Sequence, residues 1–539
     1  MNEEKRRTRS VGRFVNATRV ILLVCVSTLT VPQSVVGADR RLADAAARAD
    51  AATVRQLLAA GAAVNDADAE GTTPLHWAVW ADDLPTVEAL LGGGASATAR
   101  NTFTLTPLAI ASEHGNAAIV RRLLQAGAQA EDVNAAGETV LMTAVRSGSL
   151  ETVRLLIEAG AQVNAVEPQL RLTPLMLAAR MDDGADSGSI VRLLIAKGAS
   201  IEARTRVGTK PAARPPGTGG GSHGVGIVRS GVPPQGEQQP TPGGMTPLLF
   251  AARDGALHAA RALVEAGADL NAADPNGMPP LLMAITNAQI AVAQLLVDKG
   301  ADVRVADWYG RTPLWAAVEI RNLDLRPEAT DNGVDRDGAL RLITSILDKG
   351  VDVNARVKEF PPMRRHLLPL ASLEWVDFTG QTAFIRAAQS ADVPVMRLLL
   401  AKGADPTITT FNGTTALMAA AGVNWVPAQT FSESPARWIE AVQLCLEVGA
   451  DVNAVNEMGL TAVHGAANRG SDDIIELLAR RGARLDLPDK HDRTPLVWAE
   501  GVFLATNSPV AKPSTIALIK RLLGETAASP APAPRGTAR

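Results

Sequence analysis

The chain has 539 residues and a formal charge of −3 at pH 7, and 46% of its residues are apolar although only 3% are aromatic. This composition predicts a core of leucine, valine and alanine side chains rather than aromatic-centred globules. The first 38 residues carry six basic and two acidic side chains, so the rest of the chain has a net charge of −7. Because nucleic acid and anionic membranes attract basic proteins, we expect this acidic chain to bind neither.

Residues 1–38 have the pattern of a secretory signal. A basic beginning precedes an apolar run from Val20 to about Leu29, and residues 36–38 read Val-Gly-Ala, which suits cleavage before Asp39. The run is shorter than the ~20 apolar residues that span a bilayer. We therefore predict a periplasmic or secreted protein with no membrane segment after cleavage. The alternative is an inner-membrane protein anchored by an uncleaved segment. Cleavage would leave Cys445 as the single cysteine, which excludes a disulfide within the chain.

A unit of two helices recurs along the chain after a charged capping helix pair at residues 39–69. One unit begins at Pro280, its second helix stops at Gly300, and the next unit begins at Pro313, 33 residues after Pro280. Proline suits the first turn of a helix, and glycine can hold the positive φ that ends one. The units begin at Pro74, Pro107, Val140, Pro174, Pro247, Pro280, Pro313, Ala383, Ala416, Ala462 and Pro495. The second helices, including that of the capping pair, end at Gly61, Gly94, Gly127, Gly160, Gly198, Gly267, Gly300, Gly350, Gly403, Gly449 and Gly482. This period predicts an all-α repeat solenoid, whose units are stable only when stacked.

The unit resembles the ankyrin repeat. Residues 73–78 read Thr-Pro-Leu-His-Trp-Ala, a full match to the T-P-L-H-x-A pattern of that family, and the resemblance extends from about Asp39 to about Leu523. It implies about 11 repeats joined by β-hairpin turns. It also implies that His76 and His464 are structural residues that hydrogen-bond to the neighbouring turn. Ankyrin proteins usually bind partners through the hairpin tips and the concave ends of the first helices, so the resemblance implies a protein-binding scaffold.

Departures from the regular spacing divide the chain. We predict ankyrin repeats at 70–203, 245–354 and 380–523. A Gly/Pro-rich basic segment at 204–244 and the tail at 524–539 are expected to be disordered, because neither contains an apolar run that would pack. Further inserts are predicted at 321–338 and 422–438, between the two helices of a repeat, and at 355–379, on the hairpin side.

Short motifs of catalysis and metal binding lack the context that their chemistry needs. Residues 220–224 match G-x-S-x-G, but they lie in the Gly/Pro-rich segment rather than at a strand-to-helix turn. The aspartates at 331, 335 and 337 do not place carboxylates at both ends of a calcium loop. We predict a monomer with no enzyme activity, no cofactor and no metal. The alternative is an enzyme or ligand-binding protein whose site is built by the inserts at 321–338, 355–379 and 422–438.

Three basic residues are the first candidate contacts for a partner. Arg146, Arg180 and Arg253 each follow a helix-opening position by six residues, in successive repeats, so stacking should set them in a row on the concave face. We call these three residues the arginine row. A row of guanidinium groups suits carboxylates, and we predict that it binds an acidic segment of a protein partner. The alternative is that these arginines pair with Asp182, Asp183 and Asp254.

Aromatic residues are the second candidate, because large desolvated side chains dominate the energetics of protein interfaces. Trp308, Tyr309 and Trp315 lie close together in the sequence, and Trp375 and Trp425 lie in or beside the later inserts. We predict that they supply anchor contacts for the partner. The alternative is ordinary packing of the inserts on the solenoid.

Overall fold

The structure is a computed structural model that describes residues 40–181, 187–208, 243–323, 333–358, 378–425, 433–502 and 510–524. The predicted signal at 1–38, residues 209–242 of the predicted loop, most of the 355–379 insert and the tail from 525 onwards lie outside the described residues. The helices are α1 Arg41–Ala47, α2 Ala51–Ala59, α3 Pro74–Trp80, α4 Leu84–Gly92, α5 Pro107–His114, α6 Ala117–Gln125, α7 Val140–Ser147, α8 Leu150–Glu158, α9 Pro174–Ala178, α10 Ser187–Ala196, α11 Pro247–Asp254, α12 Leu257–Glu265, α13 Pro280–Thr286, α14 Ile290–Asp298, α15 Pro313–Arg321, α16 Arg336–Asp348, α17 Ala383–Ala388, α18 Val393–Ala401, α19 Ala416–Ala421, α20 Pro435–Glu447, α21 Ala462–Arg469, α22 Asp472–Arg480, α23 Pro495–Gly501 and α24 Pro513–Leu522.

The first helix of each repeat begins where the spacing predicts, and a threonine usually caps it. Thr106 has an extended backbone, and its hydroxyl accepts a hydrogen bond from the backbone N–H of Ala109 at 3.2 Å. Pro107 follows at the first helical position, where no hydrogen bond needs its missing N–H. Such a cap contributes about 1 kcal/mol to a helix. The same bond recurs at Thr246 and Thr312.

The second helix of a repeat ends at a glycine for a conformational reason. Gly300 has φ +92°, and a Cβ built there would meet nothing within 4 Å. The backbone N–H groups of Gly300 and Ala301 donate hydrogen bonds to the carbonyls of Val297 and Leu296, at 3.2 and 2.9 Å respectively. The left-handed conformation, rather than close packing, therefore requires glycine at this position.

The connections between repeats are tight turns that bond to each other. In the turn that follows α14, the carboxylate of Asp307 accepts hydrogen bonds from the N–H groups of Tyr309 and Arg311, both at 3.0 Å. The carbonyl of Tyr309 in turn accepts from the N–H of Lys358, in the next described turn, at 2.9 Å. The described residues contain one isolated β-bridge, Val133 to Thr139, and no longer strand pairing.

Each repeat packs through aliphatic residues at equivalent positions. The residue after the helix-opening position is fully buried or nearly so in successive repeats, at Leu75, Leu108, Leu141, Leu175 and Leu248. Each first helix contacts its own second helix and the first helix of the next repeat, as α5 contacts α6 and α7. Burying one such leucine contributes about 1.5–3 kcal/mol. The solenoid fold predicted from the spacing is confirmed.

His76 and His464 have the structural role that the family resemblance implies. The His76 Nδ1 accepts from the backbone N–H of Thr73 at 3.2 Å, and its Nε2 lies 3.1 Å from the carbonyl oxygen of Leu105 in the next turn. The His464 ring makes the equivalent bonds to Thr461 and to Arg493, at 3.1 and 3.2 Å. Each ring therefore caps the N-terminus of one helix and hydrogen-bonds to the turn of the adjacent repeat.

Candidate partner-binding surface

The C-terminal ends of the first helices form one edge of the candidate surface. Trp80 ends α3 with 52% of its surface exposed, and its ring meets that of His114, at the end of α5, with 5.6 Å between centroids. The arginine row continues this edge on α7, just after α9, and on α11. The structure thus places Trp80 and the arginine row at equivalent helix ends, as the residue count predicts.

Arg146 is already paired with a carboxylate of its own repeat. Its two terminal nitrogens donate to the two oxygens of Glu138, at 2.6 and 2.5 Å. These bonds, opposed by partial burial, lower the pKa of Glu138 below its usual value. Arg146 therefore presents to a partner a guanidinium whose charge is largely neutralised.

The other two arginines of the row share one carboxylate. Arg253 donates to Asp254 at 2.6 Å, and the Arg180 Nε lies 3.2 Å from the other oxygen of the same group. Burial alone would raise the pKa of Asp254, but the two arginines lower it. Both guanidinium groups also lie over the ring of Phe250. That of Arg180 is 5.2 Å from the ring centroid, and that of Arg253 is 4.9 Å from it. The predicted alternative of pairing is confirmed for Asp254, whereas Asp182 and Asp183 lie outside the described residues.

The aromatic candidates separate into exposed and buried residues. Trp308 is 50% exposed, and its ring meets Tyr309 edge to face at 5.0 Å. Tyr309 and Trp315 are buried, which corrects the prediction that both anchor a partner: they pack inside the array. Trp425 is half-buried, and Trp375 lies outside the described residues.

The residue count misses a set of exposed apolar side chains on the hairpin side. Their shared property is a position at or next to a turn between repeats. They are Phe103, Val133, Val166, Leu170, Val207, Trp308, Phe411 and Val455. Most large hydrophobic residues that are exposed in the described part of the chain belong to this set, which we call the hairpin-tip set. They occupy different places within their turns, so no single residue count finds them.

A polar cluster lies buried in the repeats that flank the inserts. Arg321 donates to Asp392 at 2.8 Å, and the amide of Asn322 donates to the same oxygen at 3.0 Å. Arg386 pairs with Glu319 and donates to the hydroxyl of Ser390. We call these six residues the buried polar cluster. Sequence reasoning assigned Arg321 to an insert, whereas the structure makes it the last residue of α15.

The described ranges contain no group of three or more His, Cys, Asp or Glu residues placed to hold a metal ion. They also contain no helix that is long and apolar enough to cross a membrane. Cys445 is buried, and burial raises the pKa of its thiol to about 12, so the thiolate needed for reactivity does not form at neutral pH.

Comparisons with known proteins agree with the repeat architecture. A family model described as three copies of the ankyrin repeat matches residues 80–167, 108–205, 226–307, 248–326 and 436–502, more than half of the chain. A single ankyrin repeat matches residues 379–411. The human and mouse proteins named ankyrin repeat domain-containing protein 63 are each 32% identical over 123 residues, which are 22% of this chain and 30% and 29% of those proteins.

The chain thus spans less than a third of the length of these curated relatives. Among solved structures, the crystal structure of the human ASB11 ankyrin repeat domain is 24% identical and covers 48% of this chain and 98% of that one, with a TM-score of 0.37. The family models, the T-P-L-H-x-A histidine bonds and the stacked helix pairs lead to one conclusion: this chain belongs to the ankyrin repeat family.

Proposed function

We propose that the chain is a non-catalytic scaffold that binds a partner polypeptide along its hairpin tips and the concave ends of its first helices. Ankyrin repeats generally mediate protein–protein interaction. The observation that carries the proposal for this chain is the concentration of exposed large apolar side chains in the hairpin-tip set. Contiguous exposed apolar surface commonly marks an interaction site, and aromatic residues are enriched among interface hot spots.

The partner we propose has an acidic segment. The arginine row supports this, because its guanidinium groups lie at the ends of the first helices of consecutive repeats. The ion pairs to Glu138 and Asp254 reduce the positive potential that the row offers. The apolar contacts therefore supply most of the affinity, and the charges act mainly on orientation and on the rate of association.

The scaffold proposal predicts that hairpin-tip residues decide binding. In a triple variant, Phe103→Ser, Leu170→Ser and Trp308→Ser, we expect capture of the native partner to weaken by at least about tenfold, since hot-spot residues each contribute more than about 1 kcal/mol. Binding is measured by affinity capture from the native source, with the bound protein identified by mass spectrometry and then titrated in purified form.

The control replaces three exposed apolar residues at the C-terminal end of the array, outside the hairpin-tip set. Val497→Ser, Val510→Ser and Leu522→Ser also remove exposed apolar side chains, and this variant should bind as the wild type does. Both variants should retain the wild-type melting temperature. Equal binding by the two variants would show that the hairpin tips are not the binding surface.

We also propose that the chain is exported, with residues 1–38 as a cleaved signal. The support is the basic beginning, the short apolar run and the Val-Gly-Ala site in the sequence. Protein isolated from its native source should begin at Asp39 and be found outside the inner membrane, which intact-mass analysis of cell fractions measures. A full-length chain recovered with the membrane would instead support the uncleaved anchor.

A further inference from the structure

Arg469 occupies an unusual position at the concave edge of the array. It is the last residue of α21, at a helix end like those that carry the arginine row. Its guanidinium carbon lies 3.3 Å from the ring centroid of Trp438, in α20, and 5.4 Å from that of Trp425, just after α19. Three separate elements therefore meet around one cationic group, and part of the arginine surface remains exposed.

Other arginines in buried positions of the described chain have carboxylate partners. Arg311 pairs with Asp307 at 2.7 Å, Arg321 with Asp392 at 2.8 Å, and Arg386 with Glu319. Among the described residues, Arg469 has neither a carboxylate partner nor a hydrogen-bond acceptor. Burial lowers its pKa to about 9, so it still carries a full positive charge at neutral pH.

Two hydrogen-bond donors at this place are unsatisfied. The Arg469 Nη1 and the Trp425 Nε1 are both buried, and neither has an acceptor among the residues that the structure describes. Stacking on the two indole rings stabilises the faces of the guanidinium but gives no acceptor to N–H groups in its plane. A buried unsatisfied donor costs about 1–3 kcal/mol, and more when it is charged. The group that meets these demands must accept hydrogen bonds and carry negative charge.

We propose that Trp425, Trp438 and Arg469 form a carboxylate-binding site, the Arg469 site, which receives a glutamate or aspartate side chain of the partner. Assigning the carboxylate to a partner rests on the function proposed above. The two indole rings hold the guanidinium beside them, and a planar guanidinium binds a carboxylate through two parallel hydrogen bonds. In the arginine row, by contrast, the guanidinium groups are already paired with the carboxylates of Glu138 and Asp254.

Nuclear magnetic resonance of the tryptophan indoles tests the site directly. The full chain is labelled with ¹⁵N-tryptophan, and the Trp425 and Trp438 signals are assigned from single Trp→Phe variants. The probe is an N-acetylated peptide of alternating glutamate and glycine, and the same peptide with glutamine serves as the uncharged comparison. We expect the glutamate peptide to shift both indole signals saturably and the glutamine peptide to leave them in place.

Three variants separate recognition from folding. Arg469→Lys retains the charge but loses the planar fork, so the glutamate peptide should bind about tenfold more weakly. Arg121→Gln changes an exposed arginine of α6 outside the arginine row, whose partner Glu151 lies 2.9 Å away, and it should bind the peptide as the wild type does. Trp425→Phe keeps an aromatic face and removes only the Nε1–H donor, and it should weaken binding several-fold with an unchanged melting temperature.

The following outcomes overturn the proposal, except the last, which contradicts only the hairpin-tip surface. Unmoved indole signals in the wild type, or equal binding by Arg469→Lys, would mean that the arginine is only a structural stack on the tryptophans. A stronger response to inorganic phosphate than to the glutamate peptide would assign the site to another anion. Loss of partner capture in the hairpin-tip variant alongside unmoved indole signals would overturn this site and leave the scaffold function standing. Shifted indole signals together with normal partner capture by the hairpin-tip variant would leave this site standing and contradict the proposed hairpin-tip surface.

Discussion

Replacing Arg321 by methionine should lower the free energy of unfolding by about 3–5 kcal/mol, because the substitution leaves the Asp392 carboxylate buried without its cation. The Asp392 side chain has no exposed surface, and that of Arg321 is 7% exposed. Asp392 occupies the N-cap position of α18 but does not cap it, whereas Asp50 at the equivalent position caps α2. The carboxylate thus bonds to α15 instead of to its own helix.

The effect is measured by urea unfolding, followed by circular dichroism, and a second substitution tests its cause. Adding Asp392→Asn to Arg321→Met removes the unpaired charge, so the double variant should recover at least half of the lost stability. The comparison at the surface is Arg121→Met, whose partner Glu151 lies 2.9 Å away and where both side chains are about half exposed. That variant should lose less than about 1 kcal/mol. Equal losses for the buried and the exposed arginine would contradict the argument.

Lowering the pH from 6.5 to 4 should destabilise the wild type by roughly 3 kcal/mol through His464 alone. Burial lowers the pKa of His464 to about 4 from the ordinary value of 6.5. Above pH 6.5 the ring is neutral in both the folded and the unfolded chain. Between pH 6.5 and 4 only the unfolded chain takes up the proton, so stability falls; below about pH 4 both states are protonated and this loss levels off.

The structural reason is the role of the neutral ring. The His464 Nδ1 accepts a hydrogen bond from the N–H of Thr461, and a protonated ring has no acceptor. His464→Gln lacks the titrating group and can still accept in the capping box. The stability difference between wild type and this variant should therefore shrink as the pH falls. A difference that stays constant with pH would show that His464 does not titrate in this range.

The sequence predicted the fold well because one spacing determines many contacts at once. A threonine cap, a helix-opening proline and a closing glycine each have a local physical cause, so Thr106, Pro107 and Gly300 behave in the structure as their residue types require. The positions of the arginine row followed from the same count. Of their partners, Asp254 was predicted because it is the neighbour of Arg253 in the sequence, whereas Glu138 was not, because it lies eight residues before Arg146, ahead of the helix.

The remaining features depend on contacts that the period does not describe. Trp308 and Tyr309 are adjacent in one turn, and only the three-dimensional path of that turn exposes the first and buries the second. The Arg469 site brings α21 together with two tryptophans, Trp425 and Trp438, that both lie in the predicted insert at 422–438. The Arg321–Asp392 pair joins residues that are 71 positions apart in the sequence, with the predicted insert at 355–379 between them. Insert lengths are visible in a sequence, but the contacts made on either side of them are not.

Repetition itself creates a hazard for such an array while it folds, since the leucines at equivalent positions fit almost any neighbouring repeat. A unit that docks one place out of register would keep most of its apolar contacts. The Arg321–Asp392 pair is different, because its partners occur together at one interface of the described chain. An out-of-register stack there would bury an arginine and an aspartate apart, at several kcal/mol each. The charges thus discriminate against a slipped order of repeats that the leucines alone would tolerate.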